Sequence, residues 1–315
     1  MMIAFNEETT DIRPNKGSAY FSVVHFEERV HIYFRRRRDY SNTMHMVSDD
    51  GLHFTLCDPV LSKSYACHNF SAYLGPRGNI EAIGGQIGPL EMAHNEGLYH
   101  FTSDDGFSFQ ESSLIVAANH PNYINGMSWG MDAELDGHHC CLYDERKKNY
   151  FLFLRANTGR GERAIQVSKG DSTKSYAQFS LINIGRKNEP NYYSSNFFNI
   201  GAIRFGLVPF VVDEYCSIRL IASFNYQNWW VCSDFFKSKP WYNEEQKPKN
   251  GDHPVQGIID RGSFVEFYVH HNYLGYDEHR PVSILRYRIE KRRLYELAFS
   301  SFCKSAWSKI TAPFA

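Results

Sequence analysis

The sequence predicts an all-β fold, a five-bladed β-propeller with four-stranded antiparallel blades, on three observations. The first is an internal echo. Ser48-Asp49-Asp50-Gly51-Leu52-His53-Phe54 and Ser103-Asp104-Asp105-Gly106-Phe107-Ser108-Phe109 share the frame S-D-D-G-x-x-F. A weaker copy begins at Ser223 and places Trp229 six positions later, and the stretch from Ser168 to Phe179 reads as a stretched version. Units of roughly 40–60 residues with several strands each are the mark of a propeller array. The second observation is composition: aromatic residues make up 16% of the chain, and such side chains suit a half-buried pleated surface. The third is periodicity. Short apolar and β-branched runs are separated by Gly, Asp, Asn or charged turns, and a helical pattern is confined to KRRLYELAFSSFCKSAW near the C-terminus.

Taken in order, the units of this single domain, 1–315, fall at about 18–57, 68–113, 135–182, 196–234 and 255–297. The first carries YFSVVHF, RVHIYFR and TMHMVS; the second HNFSAYL, NIEAIGG and GLYHFTS. The third carries HHCCLYD, NYFLFLR and RAIQVS, the fourth FFNIGAI, GLVPFVV and SIRLIAS, and the fifth GIIDRGS, FVEFYVHH and SILRYRI. The Asp-Gly step in the echo marks a tight turn with a position that tolerates positive φ. The segments from Pro121 to Asp132 and from Phe235 to Pro254 are rich in Pro, Gly, Asn and charge and read as long connections. Such loops gather at the ends of a propeller's channel, where the end near the inner-strand starts commonly holds the ligand.

Charge and spacing exclude several function classes. With 34 basic and 35 acidic side chains the chain has no basic excess, so no nucleic-acid partner is expected. The run Arg35–Arg38 follows a strand and reads as a solvated hairpin. No uninterrupted 18-residue apolar stretch is present, so no membrane span is expected, and the acidic start suggests a cytoplasmic protein without a signal peptide. Seven cysteines without a C-x-x-C pair read as free thiols, with Cys140-Cys141 as small buried hydrophobes on a strand. No cofactor or metal is expected. A phosphate loop is absent, and so is H-x-x-x-H or H-x-H spacing. Gly159–Ala164 spells G-x-G-x-x-A but precedes a strand-like run, and Gly126–Gly130 spells G-x-S-x-G inside a polar loop.

A resemblance follows from particular residues. The order strand, Tyr33-Phe34-Arg35, strand, S-D-D-G-x-x-F resembles the five-bladed propeller glycosidases, the group of arabinanases, xylosidases, invertases and levansucrases. LDGHHCCLYDERKKNYFLFLRANTGRGERAIQVS, with His68-Asn69-Phe70 and Ala82–Gly85, looks most like uncharacterised bacterial relatives of the invertase group. The resemblance implies an oligosaccharide or polysaccharide partner and acid-driven glycoside hydrolysis, in which two carboxyls stand ~5–10 Å apart in unlike environments. Asp136 stands where the resembling pattern opens a blade with an acid. The corresponding place in unit one, around Tyr20 and Ser22, has no acid, and unit two offers Asn69.

Read from the residues themselves, Asp132, Glu134 and Asp136 alternate, so an extended chain puts them on one side; the bland reading is a set of solvated turn acids. Glu81 lies inside an apolar strand, where an acid needs a partner, and is a candidate for the second catalytic carboxyl, while Asp260 holds a similar stage of unit five beside Arg261 as a candidate substrate-binding group. Arg155 ends NYFLFLR as Arg35 ends VHIYFR, and Arg160 and Arg163 flank a Gly-containing hairpin. These arginines suit a carboxylate, phosphate or sulfate on a sugar, or else salt bridges between blades. Of the histidines on inner strands, His68, His139 and His271 are expected to face the axis, against His138 and His270 on the other side of each strand, with Tyr20, Trp129 and Tyr273 near the loops. Two readings stay open: a glycoside hydrolase acting on a charged or decorated sugar at the channel mouth, and a non-catalytic glycan-binding propeller that has lost the acid set.

Overall fold

The protein is described by a computed structural model. It describes residues 6–14, 18–36, 39, 41–63, 69–87, 96–117, 125–126, 137–158, 163–172, 175–185, 196–212, 215–239, 241–242, 248–249, 251–273, 279 and 281–311. Five antiparallel sheets follow one another along the chain and form a five-bladed β-propeller. Blade I is Ala19–Phe26, Arg29–Arg35, Thr43–Ser48 and Thr55–Leu56, and blade II is Ser71–Leu74, Ile80–Ile87, Glu96–Ser103 and Gln110–Ala117. Blade III is Cys140–Asp144, Asn149–Thr158 and Arg163–Ser172, edged by Ser175–Tyr176 and Ser180–Leu181. Blade IV is Asn196–Ile200, Ile203–Val212, Tyr215–Ser223 and Asn228–Ser238. Blade V is built from His253–Pro254 and Ile259–Asp260, Phe264–His271, Ser283–Glu290 and, as its outermost strand, Asn6–Thr9 from the N-terminus.

That last strand closes the ring, since it ties the start of the chain to its final blade. Its sequence, NEET, carries no apolar alternation, and ion pairs hold it instead: Glu8 meets Arg286 at 2.7 Å and Arg288 at 3.4 Å. Polar contacts also span each junction between blades. The Ser22 hydroxyl accepts the Ala72 amide, Tyr150 donates to Glu81, and Arg204 of blade IV meets Asp144 of blade III. The Asn196 side chain donates to the carbonyls of Val255 and Gly257 and accepts the Gly257 amide, and the Gln256 backbone pairs with Phe21 and Val23. Between these contacts the blade faces pack on one another through interlocking apolar side chains, which supply most of the burial. Cys140 and Cys141 point to opposite faces of their strand, one packing toward blade IV and the other toward blade II, and both are free thiols. The predicted C-terminal helix forms over Lys291–Thr311 and lies on blade IV, where the Trp230 indole donates to the Ala298 carbonyl at 2.9 Å. Among the described residues, no helix is long and apolar enough to cross a membrane.

The echoed turns are one structure used three times. In each, the serine hydroxyl accepts the amide three residues on, at 2.8 Å from Gly51, 2.9 Å from Gly106 and 3.1 Å from Tyr226. The third residue, Asp50, Asp105 or Asn225, then accepts the next two amides, and the fourth turns left-handed with φ of 74°, 76° and 67°. The stretched copy does not repeat it: the strand of blade III continues to Ser172, and Ser168 donates to the Ala177 carbonyl.

Candidate functional site

Each inner strand begins at the same end of the channel, and three positions there depart from ordinary strand geometry. Tyr20 has φ of 57° within a bulge against Arg29–Arg35, Asn69 has φ of 63° just before its inner strand, and Asn272 has φ of 51° just after Phe264–His271. Left-handed backbone at non-glycine residues is costly and tends to collect where a site shapes the chain. At this end lies a hollow of about 20 Å³. Blade I contributes Tyr20 and Phe21 and blade III contributes His138. Blade V supplies His253, Pro254, Val255, His270 and Tyr273. Blades I and III are not neighbours, yet the Tyr20 and His138 rings meet edge-on with centroids 6.0 Å apart, so the hollow sits on the propeller axis.

Rings pack closely around it. His270 meets Phe21 at 5.0 Å and Tyr273 at 5.3 Å, both edge-on, and His253 lies 4.6 Å from Tyr273. Arg35 stacks its guanidinium 5.0 Å from the Tyr20 ring. Burial, reinforced by His139 and His253, pushes His138 down to about 3, and burial with His253 and His271 pushes His270 down to about 3. Both imidazoles are therefore neutral near pH 7. Beside the hollow runs a hydrogen-bonded chain: Asp252 to His271 Nδ1 at 3.2 Å, His271 Nε2 to the Tyr287 hydroxyl at 2.7 Å, and Tyr287 to Glu7 at 3.0 Å. It ties the inner edge of blade V to its outermost strand.

The structure brings some of the sequence candidates to this end and leaves others away from it. Asn69 is buried and donates to the Gly85 carbonyl at 3.3 Å, at the same end of blade II. Of the histidine pairs, His138 and His270 line the hollow. His139 is fully buried, and His271 is held between Asp252 and Tyr287. The physical reason is that strand faces in a propeller point at the neighbouring blades. Alternation therefore sorts side chains between two blades, and only the inner edge of each sheet meets the axis. His270 shares a side with Tyr268, toward blade I, whereas Phe267 and Val269 pack toward blade IV.

Arg155 is buried within a strand that runs on to Thr158, two residues past Phe153, as His138 stands two before Cys140; since Phe153 pairs with Cys140, Arg155 and His138 share a level of blade III. Arg163 opens the next strand opposite Asn157. Glu81 lies four residues from Gly85, ~13 Å along the strand, and packs between blades II and III against His100 at 3.3 Å and Tyr150 at 3.4 Å. Asp260 pairs opposite Val265, at the far end of the strand that carries His270; it caps a turn and meets Lys291 at 2.6 Å. His68, Trp129, Asp132, Glu134, Asp136 and Arg160 lie outside the described residues. His253 also lines the hollow, and its only signal in the sequence is its place just before the apolar run that opens the last unit.

No known family profile matches the chain, and no curated protein sequence does. Solved structures do match its shape. An α-L-arabinanase from Penicillium chrysogenum, complexed with arabinobiose, is 9% identical over 91% of this chain and 99% of its own, with a TM-score of 0.57. A β-1,2-mannobiose phosphorylase from Listeria innocua is 11% identical over 95% and 100%, at 0.59. An N-acetylgalactosamine deacetylase from F. plautii, in complex with blood group B trisaccharide, is 10% identical over 91% and 96%, at 0.58. The likeness is one of fold. It includes arabinanase-type five-bladed propellers, and at these identities it carries no residue correspondence.

Proposed function

We propose that this chain is a glycan-active propeller protein that takes an oligosaccharide or polysaccharide at the channel mouth and hydrolyses a glycosidic bond there. The observation that carries the reading is the axial hollow at the inner-strand starts, where tyrosines and histidines of blades I, III and V converge. Supporting it, three structures of the same shape are named for work on saccharides by hydrolysis, phosphorolysis and deacetylation. Asp136, two positions before His138 in sequence, is the leading carboxylate, and Glu134 is its alternating neighbour. Arg155 and Arg163 orient a charged or decorated sugar, and the layout of Asp136–Ser168 supports kinship with the invertase-like propellers. The free thiols at Cys57 and Cys303 suit a cytoplasmic setting.

The test is Asp136→Asn beside the wild type on aryl glycosides and native glycans. Loss of about 10²-fold or more in kcat/KM is expected for a group that moves a proton in the transition state. Unchanged activity removes Asp136 from the mechanism.

One observation favours a second reading, non-catalytic glycan binding: the described walls of the hollow carry imidazoles, phenols and hydrocarbon and no carboxylate. Saccharide binding without turnover in either protein is its signature.

A further inference from the structure

We infer that the axial hollow is a subsite for one uncharged hydroxyl group, held between His138 and His270, so that the end of the saccharide seated there is neutral. The inference rests on the glycan reading above and narrows it, since it separates the group bound on the axis from any charged decoration met by the arginines.

Three observations carry it. His138 and His270 come from different blades and line the same hollow, and each has a buried Nε2 without a hydrogen-bond partner among the described residues. A buried polar atom in that state is uncommon and asks for a ligand or water. The space, about 20 Å³, holds one water-sized group, so a hydroxyl fits and a ring does not. The remaining wall is Phe21, Pro254, Val255, the rings of Tyr20 and Tyr273 and the imidazole of His253, with no carboxylate and no lysine or arginine side chain among the lining residues.

Burial keeps both imidazoles uncharged, each having been pushed down to about 3. A neutral imidazole offers one donor and one acceptor, as a hydroxyl does, so the three groups can complete one another. A carboxylate finds only an acceptor-matching N–H and no positive charge from these two rings. An ammonium finds acceptors but gives up its hydration.

The experiment uses the whole chain with arabinobiose, β-1,2-mannobiose and xylotriose as neutral probes and glucuronic and galacturonic acid as anionic ones. Affinities are measured by calorimetry at pH 5 to 8, and the histidine Cε1–H signals are followed by NMR. The expected result is that a neutral probe binds and shifts the His138 and His270 signals, which themselves do not titrate across that pH range. His138→Phe and His270→Phe each then weaken it tenfold or more. A neutral probe that binds without moving those signals overturns the inference and leaves the glycan reading standing, as do uronates that bind more tightly than neutral sugars. Because the signals are read in the wild type, a variant that fails to fold does not cloud the answer. No binding by any probe overturns both readings.

Discussion

The Tyr33 hydroxyl of blade I donates to the carbonyl of Gly106 in blade II, 2.9 Å away. Tyr268 of blade V does the same to Gly51 of blade I, at 2.8 Å. Each tyrosine is the fifth residue of its blade's second strand, and each glycine is the left-handed residue of the repeated turn. The repeat is therefore also a joint: each of these turns is fastened by the blade before it. Between blades III and IV the joint is inverted. Tyr226 takes the glycine place, stacks on Phe151 and sends its hydroxyl back to Asp144 at 2.7 Å.

Removing one such hydroxyl leaves a buried carbonyl without its partner while the ring still packs on Phe70 and Phe109. Tyr33→Phe is expected to lower unfolding stability by about 1–3 kcal/mol. Tyr268→Phe should cost a similar amount, and the double variant should lose nearly the sum, because the two joints share no residue. Guanidinium unfolding of the four proteins measures this. A double variant no weaker than either single one contradicts the account.

Ring closure between blades V and I depends on backbone proximity. Gly257 has φ of 92°, and a Cβ built there stands 2.2 Å from the Val23 carbonyl oxygen. Gly257→Ala combines a disfavoured backbone conformation with a clash against main chain that cannot rotate away, so a loss above about 2 kcal/mol is expected. Gly262→Ala is the control: its φ is 77°, and no atom lies within 4 Å of the added carbon, so it carries the backbone cost alone. Equal thermal midpoints for the two variants count against close approach as the cause.

Much of this architecture could be read from the chain because its signals are local. A serine hydroxyl and a carboxylate at fixed spacing bind their own turn amides, so Ser48, Ser103 and Ser223 announce the same turn wherever they fall. The strand NEET could not be read. Its partner lies about 280 residues away, and its pairing relies on Glu8 with Arg286 and Arg288 instead of an apolar pattern. The site was legible by region but not by residue. Alternation cannot say which histidine of a pair meets the axis when both strand faces are covered by other blades. The Tyr20 bulge, which resets that parity in blade I, leaves no mark in the sequence.

Acid should loosen the fold before the carboxylates titrate. Burial pushes His31 down to about 4 and His45, His138 and His270 to about 3, against 6.5 in an unfolded chain. Between these values the unfolded state holds protons that the folded state does not, so stability falls as pH drops below about 6.5. Each such imidazole contributes a slope of up to about 1.4 kcal/mol per pH unit. The decline should run from pH 6.5 toward 4 and be absent from 7 to 8. His45→Gln, next to the stacked ring of His31, should flatten it by about one proton in denaturant midpoints taken across this range. A profile flat down to pH 4.5 rules out neutral buried histidines as its source.

The junction of blades III and IV offers a test of buried charge. Arg204 meets Asp144 at 2.5 Å, with both side chains buried, and its guanidinium lies 4.8 Å from the Tyr226 ring. Burial alone raises the Asp144 carboxyl, but hydrogen bonds from Tyr226, Arg204 and the Lys147 amide outweigh it and hold the group below its ordinary value. Arg204→Met strips the counter-charge and leaves a buried carboxylate, so a loss of about 3–5 kcal/mol is expected. The same substitution made on Asp144→Asn leaves no bare charge behind and should cost clearly less than on the wild type. The sign of that coupling decides the matter. If Arg204→Met costs as much with asparagine at position 144 as with aspartate, the pair acts through packing and not through charge.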